Sequence, residues 1–173
     1  MTSDEMLLLQ FRRGSREAFD ELFARYRAPV YGFFRRRLQK QSRAEDLTQE
    51  TFLAVLRATE RYEPRSPVRS YLFGIAYKLL SAERRRGGRE VADLVDPAAA
   101  DRTEASLWVR QALAKLDAAE RDILMLREYE QLSYDEIAGL MKIPLNTVRS
   151  RLFRARLALK EHLEPTGKES SHA

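Results

Sequence analysis

The sequence contains no cysteine, which removes disulfide scaffolds, thiolate metal sites and cysteine nucleophiles from consideration. Histidine is nearly absent as well: His162 and His172 both fall close to the C-terminus, too few and too badly placed for imidazole catalysis or a zinc site. Glycine (7) and proline (6) are sparse, and valine and isoleucine together number 11 against 24 leucines, a balance that favours helix over sheet. An all-α fold is expected. Long apolar runs are also missing. Leu7-Leu8-Leu9 falls far short of the roughly 20 residues a membrane span needs, and the opening Thr2-Ser3-Asp4-Glu5 is acidic where a signal segment is basic. No membrane insertion and a cytoplasmic location are expected.

What is present is a chain of 173 residues, 33% charged and 44% hydrophobic. That is enough apolar material for cores and too much for a disordered chain. The length allows one ordinary domain or two small ones, since domains most often hold roughly 100–150 residues. The net charge is +5, unevenly distributed: residues 1–90 hold 19 basic and 12 acidic groups, residues 91–106 one and four, and residues 107–173 eleven and ten. Clusters such as Arg35-Arg36-Arg37 and Arg84-Arg85-Arg86 point to an anionic polymer partner, with a solvated face as the alternative.

Helical periodicity runs through residues 1–86. Phe19, Leu22, Phe23 and Tyr26 are followed by Val30, Phe33, Phe34 and Leu38, with Pro29 predicting a kink or restart. Ser42 and Glu45 read as a capping box for a helix whose Thr48, Phe52, Val55 and Leu56 share one face. Ser66-Pro67 opens another that buries Leu72, Ile75, Ala76 and Leu79 and ends in Arg84-Arg85-Arg86-Gly87-Gly88. Residues 87–106 lose the apolar period and read as a flexible linker. Beyond them, cap signals at Asp117/Glu120 and Ser133/Glu136 and a last helix from about Asn146 to Leu163 make a four-helix module over 107–163, with 164–173 as a tail.

Three constellations stand out. Ser133 to Arg156 has the outline of a helix-turn-helix, a short helix, a turn at Lys142-Ile143-Pro144-Leu145, and a longer basic helix. At about 100° per residue, Val148, Leu152, Ala155 and Leu159 share the inner face, leaving Arg149, Ser150, Phe153 and Arg154 to project outward. A forked guanidinium reads guanine O6 and N7, and Phe touches a thymine methyl, so this face suits a major groove. The second constellation, Asp46, Gln49, Glu50, Leu53 and Arg57, is one stripe of a helix, which by itself reads as solvated. In the third, Arg61, Arg65, Arg69 and Lys78 interleave with Tyr62, Tyr71, Phe73 and Tyr77, a mixture of cations and rings that suits single-stranded DNA. Tyr62 and Tyr71 are the rings expected to be exposed.

Taken together these segments resemble the extracytoplasmic-function (ECF) group of bacterial sigma factors, over nearly the whole chain. The resemblance is carried by Ala44-Glu45-Asp46-Leu47-Thr48-Gln49-Glu50-Thr51-Phe52, by Pro67-Val68-Arg69-Ser70-Tyr71-Leu72-Phe73-Gly74-Ile75-Ala76, and most specifically by Ile143 to Arg156. It implies two small helical domains. In the first, 1–86, the stripe of Asp46, Gln49 and Glu50, with Leu53 and Arg57, docks on core RNA polymerase. There Arg61, Tyr62, Arg65, Arg69, Tyr71 and Lys78 recognise and melt the minus-ten element. In the second, 107–163, Asn146, Thr147, Arg149, Ser150, Phe153 and Arg154 read the minus-thirty-five element. It further implies promoter DNA, duplex and melted, as ligand, an anti-sigma factor as candidate partner, no cofactor or metal, and no covalent chemistry. The chain departs from the family's habit at Tyr71, where Trp is common, at Lys78 for Asn, at Ala82 for Asp, and at Leu116-Asp117 for Leu-Pro. A helix-turn-helix regulator acting without polymerase, and a protein-interaction bundle with an incidental basic face, are the competing readings.

Overall fold

A computed structural model describes residues 1–63, 66–87 and 103–164. The chain divides into two compact units, 1–97 and 98–173, and the described residues hold eight α-helices and no strand. The central part of the expected linker, residues 88–102, and the tail from 165 onward lie outside the described residues, as does Arg65. At the linker's edges, Gly87 closes one helix and Glu104 opens the next, so that segment is shorter than its composition indicates.

The first unit consists of α1 (Asp4–Arg12), α2 (Arg16–Arg35), α3 (Gln41–Ala58), a 3₁₀ turn at Thr59–Arg61, and α4 (Val68–Gly87). Ser3 and Ser15 cap α1 and α2, accepting from the backbone N–H groups of Met6 and Ala18. The core joins all four helices: Leu7 and Leu8 of α1, Leu22, Val30, Phe33 and Phe34 of α2, Leu47, Phe52 and Val55 of α3, and Leu72, Phe73 and Leu80 of α4 are buried. Phe33 lies 5.1 Å from Phe34 and 5.8 Å from Phe73, and Phe23 meets Phe52 edge-on at 4.8 Å. Such ring pairs add directional preference to the area they bury.

Four local features depart from the sequence pattern. Pro29 neither stops nor restarts α2, which runs through it. The ring is exposed, and burial of Tyr26, Val30, Phe33 and Phe34 along one face outweighs the roughly 3 kcal/mol that an interior proline costs. Ser42 does not cap α3, because the helix begins at Gln41 and Lys40 holds the cap position without a side-chain bond. Glu45 instead accepts from the Gln41 side-chain amide at 3.2 Å. Ile75 and Leu79 are only half-buried, their expected places in the core being taken by Phe73 and Leu80, and Leu56 is exposed. The start of α4 has a cap no sequence pattern showed: Glu5 of α1 accepts from the Val68 backbone N–H at 3.1 Å, 63 residues away.

The second unit is built from α5 (Glu104–Ala114), α6 (Ala118–Glu128), α7 (Tyr134–Met141) and α8 (Leu145–Leu163). Ala112, Leu113, Leu116, Ile123 to Leu126, Leu132, Ile137, Val148, Leu152 and Ala155 make its core. Leu159, expected inside, is half-buried. Asp117 sits at the cap of α6 but makes no side-chain bond; Arg121 satisfies the end of α5 by donating to the carbonyls of Leu113, Ala114 and Leu116. At α7 the reciprocal capping box forms, Ser133 Oγ accepting from the Glu136 N–H at 3.1 Å and Glu136 Oε1 from the Ser133 N–H at 3.2 Å. The helix stops at Lys142, in the left-handed region at φ 56°, and Ile143 N–H closes onto the Ala138 carbonyl.

These two ends of α7 set the angle at which α8 leaves the turn, and they predict opposite effects. Ser133→Ala should cost about 1 kcal/mol of stability in urea unfolding. Lys142→Gly should stabilise by up to about 1 kcal/mol, because glycine enters the left-handed region without the Cβ penalty.

Candidate functional site

On α3 the core takes Leu47, Thr48, Thr51, Phe52 and Val55, and the hydroxyls among them are satisfied inside the helix: Thr48 donates to the Ala44 carbonyl at 2.7 Å and Thr51 to that of Leu47 at 2.8 Å. With no polar group needing a partner inward, Asp46, Gln49, Glu50, Leu53 and Arg57 all face solvent. Their stripe is continuous over three turns, and Leu53 and Leu56 leave apolar surface within it, 47% and 40% exposed. The acidic end is not isolated. Arg43, one turn earlier, forks onto Glu83 of α4, Nε to Oε1 at 2.8 Å and Nη2 to Oε2 at 2.7 Å, while Nη1 stands 3.9 Å from Asp46 and 3.7 Å from Glu50. The Arg43 hydrogen bonds hold the Glu83 carboxyl below the usual carboxylate range, with Arg86 adding to the effect. A carboxyl depressed on folding contributes stability that is present above its unfolded pKa and lost as the pH falls through its lower folded one.

The loop into α4 differs from expectation in one residue that matters. Tyr62 is buried, 3% exposed, with its hydroxyl donating to the Ser66 carbonyl at 2.6 Å and its ring 5.1 Å from that of Tyr71. Arg12 of α1 holds the same loop, donating to the Glu60 carbonyl at 2.6 Å and the Tyr62 carbonyl at 3.4 Å. A chain that must turn from the 3₁₀ segment to α4 within a few residues needs a plug beneath it, and Tyr62 is that plug rather than an open ring. Tyr71 is half-buried above it. Its hydroxyl is enclosed without a hydrogen-bond partner, and burial pushes its pKa up. Arg61 and Lys78 are exposed and Arg69 half-buried, its guanidinium 5.7 Å from the centre of the Phe73 ring. Among the described residues, the surface left to this segment is three cations, Arg61, Arg69 and Lys78, and two partly open rings, Tyr71 and Tyr77.

On α8 the division is sharp. Val148, Leu152 and Ala155 are buried, while Asn146, Arg149, Ser150, Phe153 and Arg154 are exposed and Thr147 half-buried. Phe153 is 70% exposed, an apolar ring left in water. Arg149 is steadied by the Asn146 side-chain carbonyl at 3.4 Å, and Arg154 has a loose ion pair with Glu120 at 3.9 Å. Arg156 is held back from this face by Tyr134 and Glu128, both at 3.3 Å. The residues that sequence reasoning missed are Glu5, Arg12, Arg43 and Glu83. Of these only Arg43 left a local signal, its helical spacing of three and seven from Asp46 and Glu50.

Among the described residues there is no cluster of side chains suited to a metal ion, and no helix long and apolar enough to cross a membrane. Two family models match the chain, Sigma-70 region 2 over residues 22–90 and Sigma-70 region 4 over residues 106–159. The RNA polymerase sigma-H factor of Pseudomonas aeruginosa is 33% identical, the match covering 96% of this chain and 97% of that protein. The ECF RNA polymerase sigma-E factor of Haemophilus influenzae is 28% identical over 94% and 96%. Among solved structures, CnrH in complex with the cytosolic domain of CnrY is similar with a TM-score of 0.73 and 26% identity, covering 94% of this chain and 97% of that one. With both region models in order and a relative of this identity matched along nearly all of it, the chain belongs to the sigma-70 family of RNA polymerase sigma factors, in its extracytoplasmic-function group.

Proposed function

We propose that this sigma factor joins core RNA polymerase through the exposed stripe of α3, opens the minus-ten element with the surface around α4, and reads the minus-thirty-five element with α8. The observation that carries this reading is common to α3 and α8. Each buries one face against its own unit, yet its outer face keeps apolar side chains, Leu53 and Leu56 on one and Phe153 on the other, in water beside charged groups. Surfaces of that mixture gain from being covered. Residues 1–86 form the docking and melting domain and 107–163 the duplex-reading domain, with the intervening segment as a tether. The chain binds and positions and performs no covalent chemistry, and it acts in the cytoplasm, where its polymerase and promoter are.

For minus-ten DNA the burial pattern divides the work. Arg61, Arg69 and Lys78 supply cations for phosphates, and Tyr71 supplies the ring on which an unstacked base rests. Tyr62 acts beneath Tyr71 as its support. Arg65, which lies outside the described residues, stays with the phosphate group of contacts by its charge. On α8, Arg149 and Arg154 supply forked donors and Phe153 an apolar contact, with Asn146, Thr147 and Ser150 at the end of the helix that enters the groove. Because the similar solved structure holds its chain together with a second protein, an anti-sigma factor is included among the partners.

Reversing Asp46 and Glu50 to Arg should weaken core polymerase binding by about 100-fold or more, as like charges brought together across an interface cost several kcal/mol. The thermal midpoint should move by no more than about 4 °C, since both side chains point away from the core. Holoenzyme assembly by size exclusion with calorimetry checks both, and normal assembly of the variant refutes the docking assignment.

Tyr71→Ala should slow transcription from duplex promoters, with a smaller defect on a template already mismatched over the start region, because stacking is worth roughly 1–3 kcal/mol per base. Tyr62→Ala should instead lower the stability of the first unit by about 3 kcal/mol, as removal of a buried ring does. Equal defects of Tyr71→Ala on both templates would remove it from the opening step.

In site selection from a random duplex pool, Arg149→Ala or Arg154→Ala should relax preference at one or two base pairs by roughly 1–3 kcal/mol. Lys160→Ala, near the end of α8, should weaken all sequences alike. Recovery of the same site at the same stringency by both arginine variants would mean that α8 does not read the groove.

A further inference from the structure

A guanidinium has three nitrogens, and the structure allots those of Arg43 to two tasks. Nε and Nη2 are committed to Glu83 in a fork with both bonds under 3 Å, the arrangement in which arginine and carboxylate hold each other most rigidly. Nη1 is turned the other way, toward one oxygen of each of two carboxylates, Asp46 Oδ2 at 3.9 Å and Glu50 Oε1 at 3.7 Å. Neither is a close hydrogen bond, so each carboxylate keeps its other oxygen free, and the side chains remain 62% and 47% exposed. Asp46 and Glu50 stand four residues apart on one helix, a spacing at which like charges repel. A cation fixed between them relieves that repulsion and narrows the range of positions the two groups sample. The anchor comes from outside the helix: Glu83 is on α4, five residues past Lys78, and only 19% exposed.

We infer that Arg43, locked by Glu83, is a positioning residue for the polymerase-docking carboxylates, presenting Asp46 and Glu50 pre-arranged to a cationic partner surface and tying their stripe to the helix that meets the minus-ten element. The inference rests on the docking role proposed above for those two residues. Two features argue against a tether that merely joins α3 to α4. Glu83 leaves the third nitrogen unused, and that nitrogen is aimed at the stripe. The α3–α4 join is also supplied by the buried core residues Leu47, Leu72 and Leu80. Lysine at position 43 would keep the charge but not serve both sides, since an ammonium is a point donor and not a planar fork.

The test is a mutant cycle on the full chain, read as the dissociation constant for core polymerase, with the thermal midpoint recorded for each variant. Arg43→Ala should weaken core binding about tenfold in the otherwise native chain, the loss that follows from freeing two ordered side chains before association. Glu83→Gln, which undoes the fork and leaves Arg43 in place, should give part of that loss. In an Asp46→Asn/Glu50→Gln background, Arg43→Ala should cost less than about twofold, because the groups it arranges no longer carry charge. An equal loss in both backgrounds overturns the proposal and leaves Arg43 as a tether. So does native affinity in Arg43→Ala. If instead the Asp46→Asn/Glu50→Gln chain binds core polymerase as tightly as the native chain, the docking role itself has failed, whatever Arg43 does. Should Arg43→Ala fold poorly, Arg43→Lys serves in its place: it should keep the midpoint near native and still lose affinity only where Asp46 and Glu50 are charged.

Discussion

The first unit depends on the packing of Phe33 against Phe34 and Phe73, which fixes α4 on α2. All three rings are essentially without solvent exposure. Closely packed cores yield little to side chains of another shape, so the rotation of α4 about its own axis is set once Phe73 is seated. Phe23 meeting Phe52 does the same for α3. From these two seatings the rest of the unit's surface follows. Once Leu47, Phe52 and Val55 are inside, Asp46, Gln49, Glu50 and Leu53 have only solvent to face. Once Phe73, Ala76 and Leu80 are inside, Lys78 is outside and Tyr71 is left on the border.

Several of the polar groups that folding encloses are satisfied within their own helical stretch. Thr48, Thr51 and Thr59 return their hydroxyl protons to carbonyls of their own helical stretch. Buried Arg37 donates to the Phe33 carbonyl at 2.9 Å with its guanidinium 4.0 Å from the Phe33 ring centre. Helix ends are closed by Ser3, Ser15, Ser133 and the distant Glu5. The second unit follows the same plan with smaller residues: Val148, Leu152 and Ala155 seat α8, the capping box and the left-handed Lys142 fix its approach, and Phe153 and Arg149 are what remains outside. The side chains proposed to meet polymerase and DNA are those the two cores do not use.

This division explains how far the sequence was readable. Period and caps act over a few residues, so the seam of α8, the capping box at Ser133 and Glu136, and the stripe on α3 are all legible in the sequence. Features settled by residues far apart in the chain are not. Ser42 and Glu45 have the spacing of a cap, but α3 starts where its buried face requires. Tyr62 looked like an open ring because nothing nearby reveals that Arg12 draws the loop over it. Pro29 reads as a break until the burial of four neighbours on the inner face is weighed against it. Asp46 and Glu50 were visible as a polar stripe, whereas the arginine between them acquires its meaning from Glu83, 40 residues later. The surface proposed for minus-ten DNA is the least legible part, since a mixture of rings and cations does not say which rings the core will claim.

These two cores leave outside the residues proposed to turn core polymerase into a promoter-specific enzyme. The decisive measurement is run-off transcription with purified core polymerase and a library of genomic promoter fragments, with and without this chain. Discrete transcripts are expected only when the chain is added, from templates sharing two upstream elements at one fixed spacing. Unchanged, non-specific transcription in the presence of a chain that binds the same DNA would contradict that proposal and leave a duplex-binding regulator that does not work as a polymerase subunit.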